Sequence, residues 1–171
     1  MVVEILEEIR KLKERELLSY WVQGEYEEAR VYSQLADRAE ELGLPKDVVE
    51  TFRRLSEDSK EHGDSLYELY RRKYGEELVE VDIPNVEATH VVGRFWMVED
   101  IEDVLRNALD AEKLAETIYR KLAEEAQGEL RELYLKLAEE ELGHYKSLLK
   151  VAETLGVDVR GREKEECEKL D

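Results

Sequence analysis

Cysteine is nearly absent from this chain, since Cys167 is the only one in 171 residues. A single thiol excludes an intrachain disulfide framework, a paired CxxC metal site and an iron–sulfur cluster held by one chain alone. We interpret Cys167 as a surface thiol in a charged segment. Side-chain amides are also scarce, and low amide content with abundant Lys and Glu resembles the composition of heat-adapted proteins. The only amides are Gln23, Gln34, Asn85, Asn107 and Gln127.

Basic charge and long apolar runs are the other two deficits. Lys and Arg number 26 against 44 Asp and Glu, which gives a net charge of −18. Nucleic acids and anionic membranes bind clusters of Lys and Arg, so we expect neither as a partner. The apolar runs at 91–92 and 95–98 are too short to span a membrane, and Met1 opens a charged amphipathic segment rather than a signal peptide. We therefore expect a cytoplasmic protein that attracts cations.

The length of the chain suits one domain with a substantial core, and we expect a single domain over residues 1–171. Apolar residues at helical spacing predict four helices, the first of which runs without a break. Their expected bounds are 2–42, 45–74, 100–127 and 129–155.

The connections between these helices predict how they are arranged. Short glycine-containing turns join the first helix to the second and the third to the fourth, so each pair is antiparallel. Residues 76–98 lack a helical period and contain Pro84 and Gly93, which predicts an extended crossover along the bundle. Residues 157–171 form a charged tail. The sequence therefore predicts an all-α four-helix bundle of two antiparallel hairpins joined by one long crossover.

The most informative motif is the acidic run that ends in Glu141, Leu142, Gly143 and His144. Residues three apart lie on one face of a helix, so Glu141 and His144 point the same way. Glu112, on the preceding helix, falls on a stripe that we expect to face the core. A lone Glu opposite a Glu-x-x-His pair is how four-helix bundles hold two metal ions.

The first half of the chain repeats this pattern. Glu25 precedes Tyr32 by seven residues, as Glu112 precedes Tyr119, and this spacing places each pair on one helical face. Buried unpaired carboxylates cost several kcal/mol, so two core-facing glutamates require a cation nearby. If the tyrosines are buried, their hydroxyls need partners, and a ligand carboxylate is one.

Two histidines occupy matching positions in the repeat. His62 aligns with His144, and each is paired with a helix that carries a core-facing Glu. An isolated histidine is more often a core or boundary residue, but the matched pair favours a metal site. His90 has no acidic partner at helical spacing and keeps the ordinary interpretation.

Three glycines lie inside predicted helices beside these candidates, where glycine costs up to about 1 kcal/mol relative to alanine. They are Gly24, Gly63 and Gly143. Either a close approach of two helices or access of solvent and oxidant to a metal would explain them.

Taken together, the motifs resemble those of the ferritin-like di-iron carboxylate superfamily, and within it the rubrerythrin and bacterioferritin-type branch. The resemblance covers roughly residues 15–155. The paired CxxC motifs of a rubredoxin domain, which full rubrerythrins carry, are absent. The resemblance implies a ferritin-like bundle that holds two iron ions, with manganese or zinc as alternatives, through Glu25, His62, Glu112, Glu141 and His144.

One position departs from the family pattern. The second Glu-x-x-His becomes Ser59-Lys60-Glu61-His62, which removes one bridging carboxylate. Asp58 and Glu140 stand four residues before the histidines, where relatives place an acidic partner behind a ligand histidine. We interpret both as partners of this kind rather than as ligands.

Glu28 is a candidate for an additional ligand, because it lies three residues after Glu25 and faces nearly the same way. Rubrerythrins carry an extra Glu at such a spacing, but on the third helix, where this chain has Ala115. With Ser59 in place of a carboxylate, we expect two unequal metal positions. The one that relies on His144 should fill first, and the one that relies on His62 should be weaker unless Glu28 or a solvent-derived oxide compensates.

The resemblance implies that the metal pair reacts with dioxygen or peroxide, as a rubrerythrin-like peroxidase or as a ferroxidase. A peroxidase would need an external electron donor protein, because the chain encodes no second redox centre. The apolar stripe near the N-terminus leads us to expect a homodimer or a higher homo-oligomer. The alternative is a non-catalytic bundle with a degenerate or single-metal site that serves as a binding or assembly module, and Ser59 keeps this alternative open.

Overall fold

The computed structural model describes residues 7–83 and 100–159. In these ranges, four long helices follow one another: α1 (Glu14–Glu41), α2 (Lys46–Tyr74), α3 (Ile101–Glu125) and α4 (Gly128–Leu155). Helix α1 packs against α2, and α3 packs against α4, so the helices form two hairpins. The expected all-α ferritin-like bundle is confirmed. No described helix is both long and apolar enough to cross a membrane.

The first helix is broken, and the prediction of one continuous helix from the N-terminus is wrong. Residues 7–9 are helical, but the chain then turns and α1 begins at Glu14. The backbone N–H of Lys13 donates to Glu16 Oε2 at 2.9 Å, which caps the new helix start. Ile9 is buried and Leu12 packs beside it against the core of this same chain. Ile9 is therefore not free to contact another molecule, whereas Leu12 is only partly buried.

The start of the crossover is extended and lies against the first hairpin. Ser19 Oγ donates to the carbonyl of Val79 at 2.6 Å, and the Tyr70 hydroxyl donates to the carbonyl of Glu77 at 2.7 Å. Val81 packs against the core. Residues 84–99, which include His90, and residues 160–171, which include Cys167, lie outside the described residues.

The core consists of two apolar clusters, one toward each end of the bundle, and each takes side chains from all four helices. One cluster surrounds Phe52 and Leu105, and the other surrounds Trp21 and Tyr119. On every helix, the residues of the two clusters are separated by buried polar residues. We call this group the polar layer, and it consists of Glu25, Glu28, Ser59, His62, Glu112, Glu141 and His144.

Candidate metal centre

All four helices contribute to the polar layer, because the apolar stripe of each is interrupted at the same height. Helix α1 provides two glutamates, α2 a serine and a histidine, α3 one glutamate, and α4 a glutamate and a histidine. None of these side chains exposes more than 5% of its surface. Every candidate ligand from the sequence is therefore brought into one buried cluster, including the candidate Glu28.

Glu141 lies between the two histidines. Its Oε1 is 3.3 Å from His62 Nδ1, and its Oε2 is 3.6 Å from His144 Nδ1. The two imidazole rings are nearly parallel, with centroids 5.3 Å apart. The carboxylate of Glu141 thus faces each histidine with a different oxygen.

Each histidine also faces the lone glutamate of one hairpin. His62 Nδ1 lies 3.2 Å from Glu25 Oε2, within the first hairpin. His144 Nδ1 lies 3.4 Å from Glu112 Oε2, within the second. The two-fold repeat in the sequence is therefore visible in the layer as two half-sites that share Glu141.

Each tyrosine hydroxyl donates a hydrogen bond to a glutamate of the other hairpin. The Tyr119 hydroxyl on α3 donates to Glu25 Oε1 on α1 at 2.7 Å. The Tyr32 hydroxyl on α1 donates to Glu112 Oε1 on α3. Each carboxylate keeps its other oxygen toward a histidine, so the tyrosines fix the orientation of both carboxylates.

Glu140 and Asp58 contact the outer nitrogens of the two histidines, and each of these contacts joins α2 to α4. His62 Nε2 lies 3.0 Å from Glu140 Oε2, and His144 Nε2 lies 3.6 Å from Asp58 Oδ2. Each acid therefore faces the histidine of the other helix, not the one four residues later in its own sequence. Because the outer nitrogen of each ring meets an acid, the inner nitrogen, Nδ1, is the one that faces the shared space.

Burial controls the charge of the lone glutamates. It raises the pKa of Glu25, and the nearby Glu141 raises it further. The same two causes raise the pKa of Glu112 to about 8. Burial also opposes ionisation of Glu141, but the two nearby histidines outweigh it and hold the pKa of this carboxyl well below its usual range.

The histidines respond in the opposite direction. Burial works against the charged ring of His62, but the nearby carboxylates of Glu140, Glu141 and Glu25 outweigh it and raise its pKa to about 12. The pKa of His144 is also raised well above its usual value, since Asp58 and the carboxylates of the layer overcome the effect of burial. In the protein alone, the layer therefore attracts positive charge strongly.

Several oxygen and nitrogen atoms of the polar layer lack hydrogen-bond partners and could instead bind a metal ion. Within the described ranges, both oxygens of Glu141, Glu112 Oε2 and His144 Nδ1 are buried without a hydrogen-bond partner. Buried lone pairs of this kind are costly unless a cation satisfies them. Two sets of ligand atoms lie within 4.8 Å of one another: one set from Glu25, His62 and Glu141, and one from Glu28, Glu112, Glu141 and His144.

The hydroxyl of Ser59, in the polar layer, makes two contacts. Its Oγ lies 3.0 Å from Glu28 Oε2 and 2.8 Å from the carbonyl of Leu55. Sequence reasoning named Glu28 as a side chain that could compensate for the carboxylate missing at position 59, but it did not place the two residues in contact. The signal was present, since Glu28 is the extra carboxylate on α1 and Ser59 marks the missing one on α2.

A family model described as Rubrerythrin matches residues 16–100 and 103–170 of the chain. A solved structure of a hypothetical protein from Pyrococcus furiosus is 29% identical in sequence, with a TM-score of 0.69. The match covers 86% of this chain and 94% of that one, so the likeness extends over most of both proteins. No curated protein matches the chain.

Proposed function

The chain belongs to the rubrerythrin family, and from this membership we propose that its polar layer binds two iron ions that react with dioxygen or peroxide. The observation that carries the proposal is the buried cluster of glutamates and histidines with unsatisfied donor atoms. Carboxylate and imidazole ligands together suit iron, and they also accept manganese or zinc.

Each metal position takes one histidine and one lone glutamate, and both share Glu141. Glu25, His62 and Glu141 would hold one ion, while Glu112, Glu141 and His144 would hold the other. A carboxylate that spans two histidines can bridge two ions, because its oxygens point to different half-sites.

The surrounding residues would orient these ligands through hydrogen bonds to the glutamates and from the histidines. Tyr119 and Tyr32 donate to the oxygens of Glu25 and Glu112 that face away from the histidines. A histidine must lose its Nδ1 proton to bind a metal through that nitrogen, and its Nε2–H then remains to donate to Glu140 or Asp58. These contacts would fix both rings with the correct nitrogen inward.

Ferrous ions, when bound, supply the electrons that reduce dioxygen or peroxide. In a peroxidase, an external electron donor protein would then reduce the centre again. In a ferroxidase, further ferrous ions would take that role. Entry of the oxidant is easiest between α2 and α4, because the side chains of Asp58 and Glu140 retain 40% and 36% of their exposure beside the histidines.

The test is elemental analysis of protein purified without chelator, followed by anaerobic loading with ferrous iron and rapid mixing with peroxide or dioxygen. We expect close to two metal ions per chain and rapid oxidation of the iron. Faster oxidation by peroxide would support the peroxidase, and faster oxidation by dioxygen would support the ferroxidase.

A non-catalytic bundle is the second candidate, and Ser59 is the observation that favours it, because the family pattern has a carboxylate at this position. In that case the protein would bind one ion or none after loading. It would also consume neither oxidant faster than free iron does.

A further inference from the structure

We propose that Glu28 supplies the metal-binding carboxylate that the family pattern places at position 59. This inference rests on the proposed function, because it adds a ligand to the same centre. It begins from one contact between two buried side chains, in which Ser59 Oγ lies 3.0 Å from Glu28 Oε2.

A longer side chain at position 59 would reach toward the place that Glu28 occupies. In the repeat, Ser59 stands where Glu141 stands, and Glu141 reaches both histidines. A glutamate at 59 would extend beyond the point where the serine side chain ends. The carboxylate of Glu28 already lies within hydrogen-bond distance of that point. Glu28 and a glutamate at 59 would therefore compete for one space.

The carboxylate of Glu28 is close enough to other donors to share an ion with them. Its ligand atom belongs to a set with those of Glu112, Glu141 and His144, all within 4.8 Å of one another. Glu28 reaches this set from α1, across the bundle from α3 and α4. Ser59 shares its one hydroxyl hydrogen between Glu28 Oε2 and the carbonyl of Leu55, and the contact with Oε2 positions the carboxylate of Glu28.

The charge of the layer supports the same assignment. Two divalent ions carry four positive charges, and Glu25, Glu112 and Glu141 would leave one of these unbalanced in a buried site. Glu28 removes the imbalance, and an unbalanced buried charge is costly. Four carboxylates and two histidines is also the ligand count of di-iron bundles. Here one carboxylate has moved from α2 to α1.

The repeat indicates that the two changes belong together. The position on α3 that corresponds to Glu28 is Ala115, which is fully buried in the apolar cluster around Trp21. The second hairpin therefore keeps Glu141 and has no extra glutamate, whereas the first hairpin has lost the α2 carboxylate and gained Glu28. The exchange makes the two positions unequal, with more ligands around His144 than around His62.

The experiment is a calorimetric titration of the metal-free full chain with Mn²⁺, with the bound metal counted after desalting. Glu28→Gln keeps the shape of the side chain but removes its charge. We expect it to weaken binding at one of two positions by about tenfold or more. Glu27→Gln is the matched control, because Glu27 is the preceding residue and its carboxylate pairs with Arg30 at the surface. It should bind like the parent.

The double variant Glu28→Ala with Ser59→Glu returns the carboxylate to α2 and clears the space that Glu28 occupies. We expect this variant to bind two ions again. Ser59→Glu alone should bind no better than the parent, because both carboxylates then compete for one volume. This expectation differs from the simple view that a glutamate at 59 adds a ligand.

The outcomes separate the inference from the proposed function. A parent that binds two ions, together with a folded Glu28→Gln variant of unchanged affinity, would overturn the role of Glu28 and leave the di-metal centre intact. A parent that binds no metal would overturn the proposed function itself. Should Glu28→Gln lose its helical circular dichroism, the double variant decides: two ions support the exchange, and fewer than two refute it.

Discussion

Single hydroxyl groups hold the lone glutamates of the polar layer in place. Tyr119 donates to Glu25, and Tyr32 donates to Glu112, each across the interface between the hairpins. A buried polar group that loses its hydrogen-bond partner costs about 1–3 kcal/mol. The two tyrosines therefore stabilise the association of the hairpins as well as the orientation of Glu25 and Glu112.

We expect Tyr119→Phe to lower the free energy of unfolding by about 1–3 kcal/mol, because a buried carboxylate loses a hydrogen bond. Urea unfolding of the metal-free protein measures this directly. Tyr134→Phe is the matched control. Tyr134 is equally buried, but its hydroxyl has no hydrogen-bond partner among the described residues.

Removal of the Tyr134 hydroxyl should raise the free energy of unfolding by about 1 kcal/mol, since it removes a desolvated group that bonds to nothing. Equal destabilisation by both substitutions would mean that loss of packing, and not the hydrogen bond to Glu25, causes the effect.

The sequence identifies the residues of the layer but not how they pair. Spacing of three and seven residues places side chains on one face of a helix, which is why Glu141 and His144 could be grouped in advance. The crossed contacts, such as that of His62 with Glu140, depend on the rotation and offset of one helix against another. Local spacing carries no information on that arrangement, so the Glu28–Ser59 contact also had to come from the structure.

At the scale of elements, two of the helical glycines serve different ends. A Cβ on Gly63 would lie 2.8 Å from Cε1 of Tyr26, so α1 and α2 approach closely there. The Tyr26 ring has little freedom to withdraw, because its hydroxyl donates to Asp64 at 2.8 Å. Gly143, in contrast, has open space around its missing Cβ. The expectation of close helix approach fits Gly63, and room beside His144 fits Gly143.

We expect Gly63→Ala to lower the free energy of unfolding by about 1–2 kcal/mol, because overpacking outweighs the gain in helix propensity. Gly143→Ala should raise it by up to about 1 kcal/mol, since alanine favours the helix and meets nothing. Thermal unfolding of both metal-free variants beside the parent provides the comparison. A stabilised Gly63→Ala would show that Tyr26 moves aside at little cost.

The break before α1 shows where pattern reasoning fails for an element. The apolar period continues through Ile9, Leu12 and Leu17, and all three pack against the core. An unbroken period predicts an unbroken helix, but the chain turns at residues 10–13 and still directs these side chains inward. The other boundaries were predictable, because glycine marks the turns at Gly43, Gly75 and Gly156 with positive φ angles.

At the scale of the molecule, a buried cluster of carboxylates should make stability depend on metal. Ions that bind only the folded state stabilise it by mass action, by about 2.7 kcal/mol when the free metal is one hundred times its dissociation constant. We expect a higher melting temperature for the loaded protein than for protein stripped with EDTA and then freed of EDTA.

The control for this comparison is Glu141→Gln, which removes charge from the residue shared by both positions. Its melting temperature should respond little to metal. Coincident melting of loaded and stripped parent, with the metal content verified, would contradict a buried metal centre.

The helical period of the apolar residues and the lengths of the connections allowed the bundle and its hairpins to be predicted at this scale. The oligomeric state could not be predicted in the same way. The homodimer expectation used the apolar stripe near the N-terminus, but Ile9 of that stripe is buried within the chain and Leu12 is partly buried there. A dimer therefore stays a prediction that sedimentation can test, with less support from the stripe.

The division of the core into two apolar clusters has a consequence for how the proposed metal ions would enter and leave. Each cluster ties together all four helices, so the packing of the bundle at its two ends does not depend on the contacts of the polar layer between them. Side chains at the midplane could then swing, gain protons or release ions while the two clusters keep the backbone assembled. Binding and release of metal ions would then be local changes in the polar layer that do not require the chain to unfold.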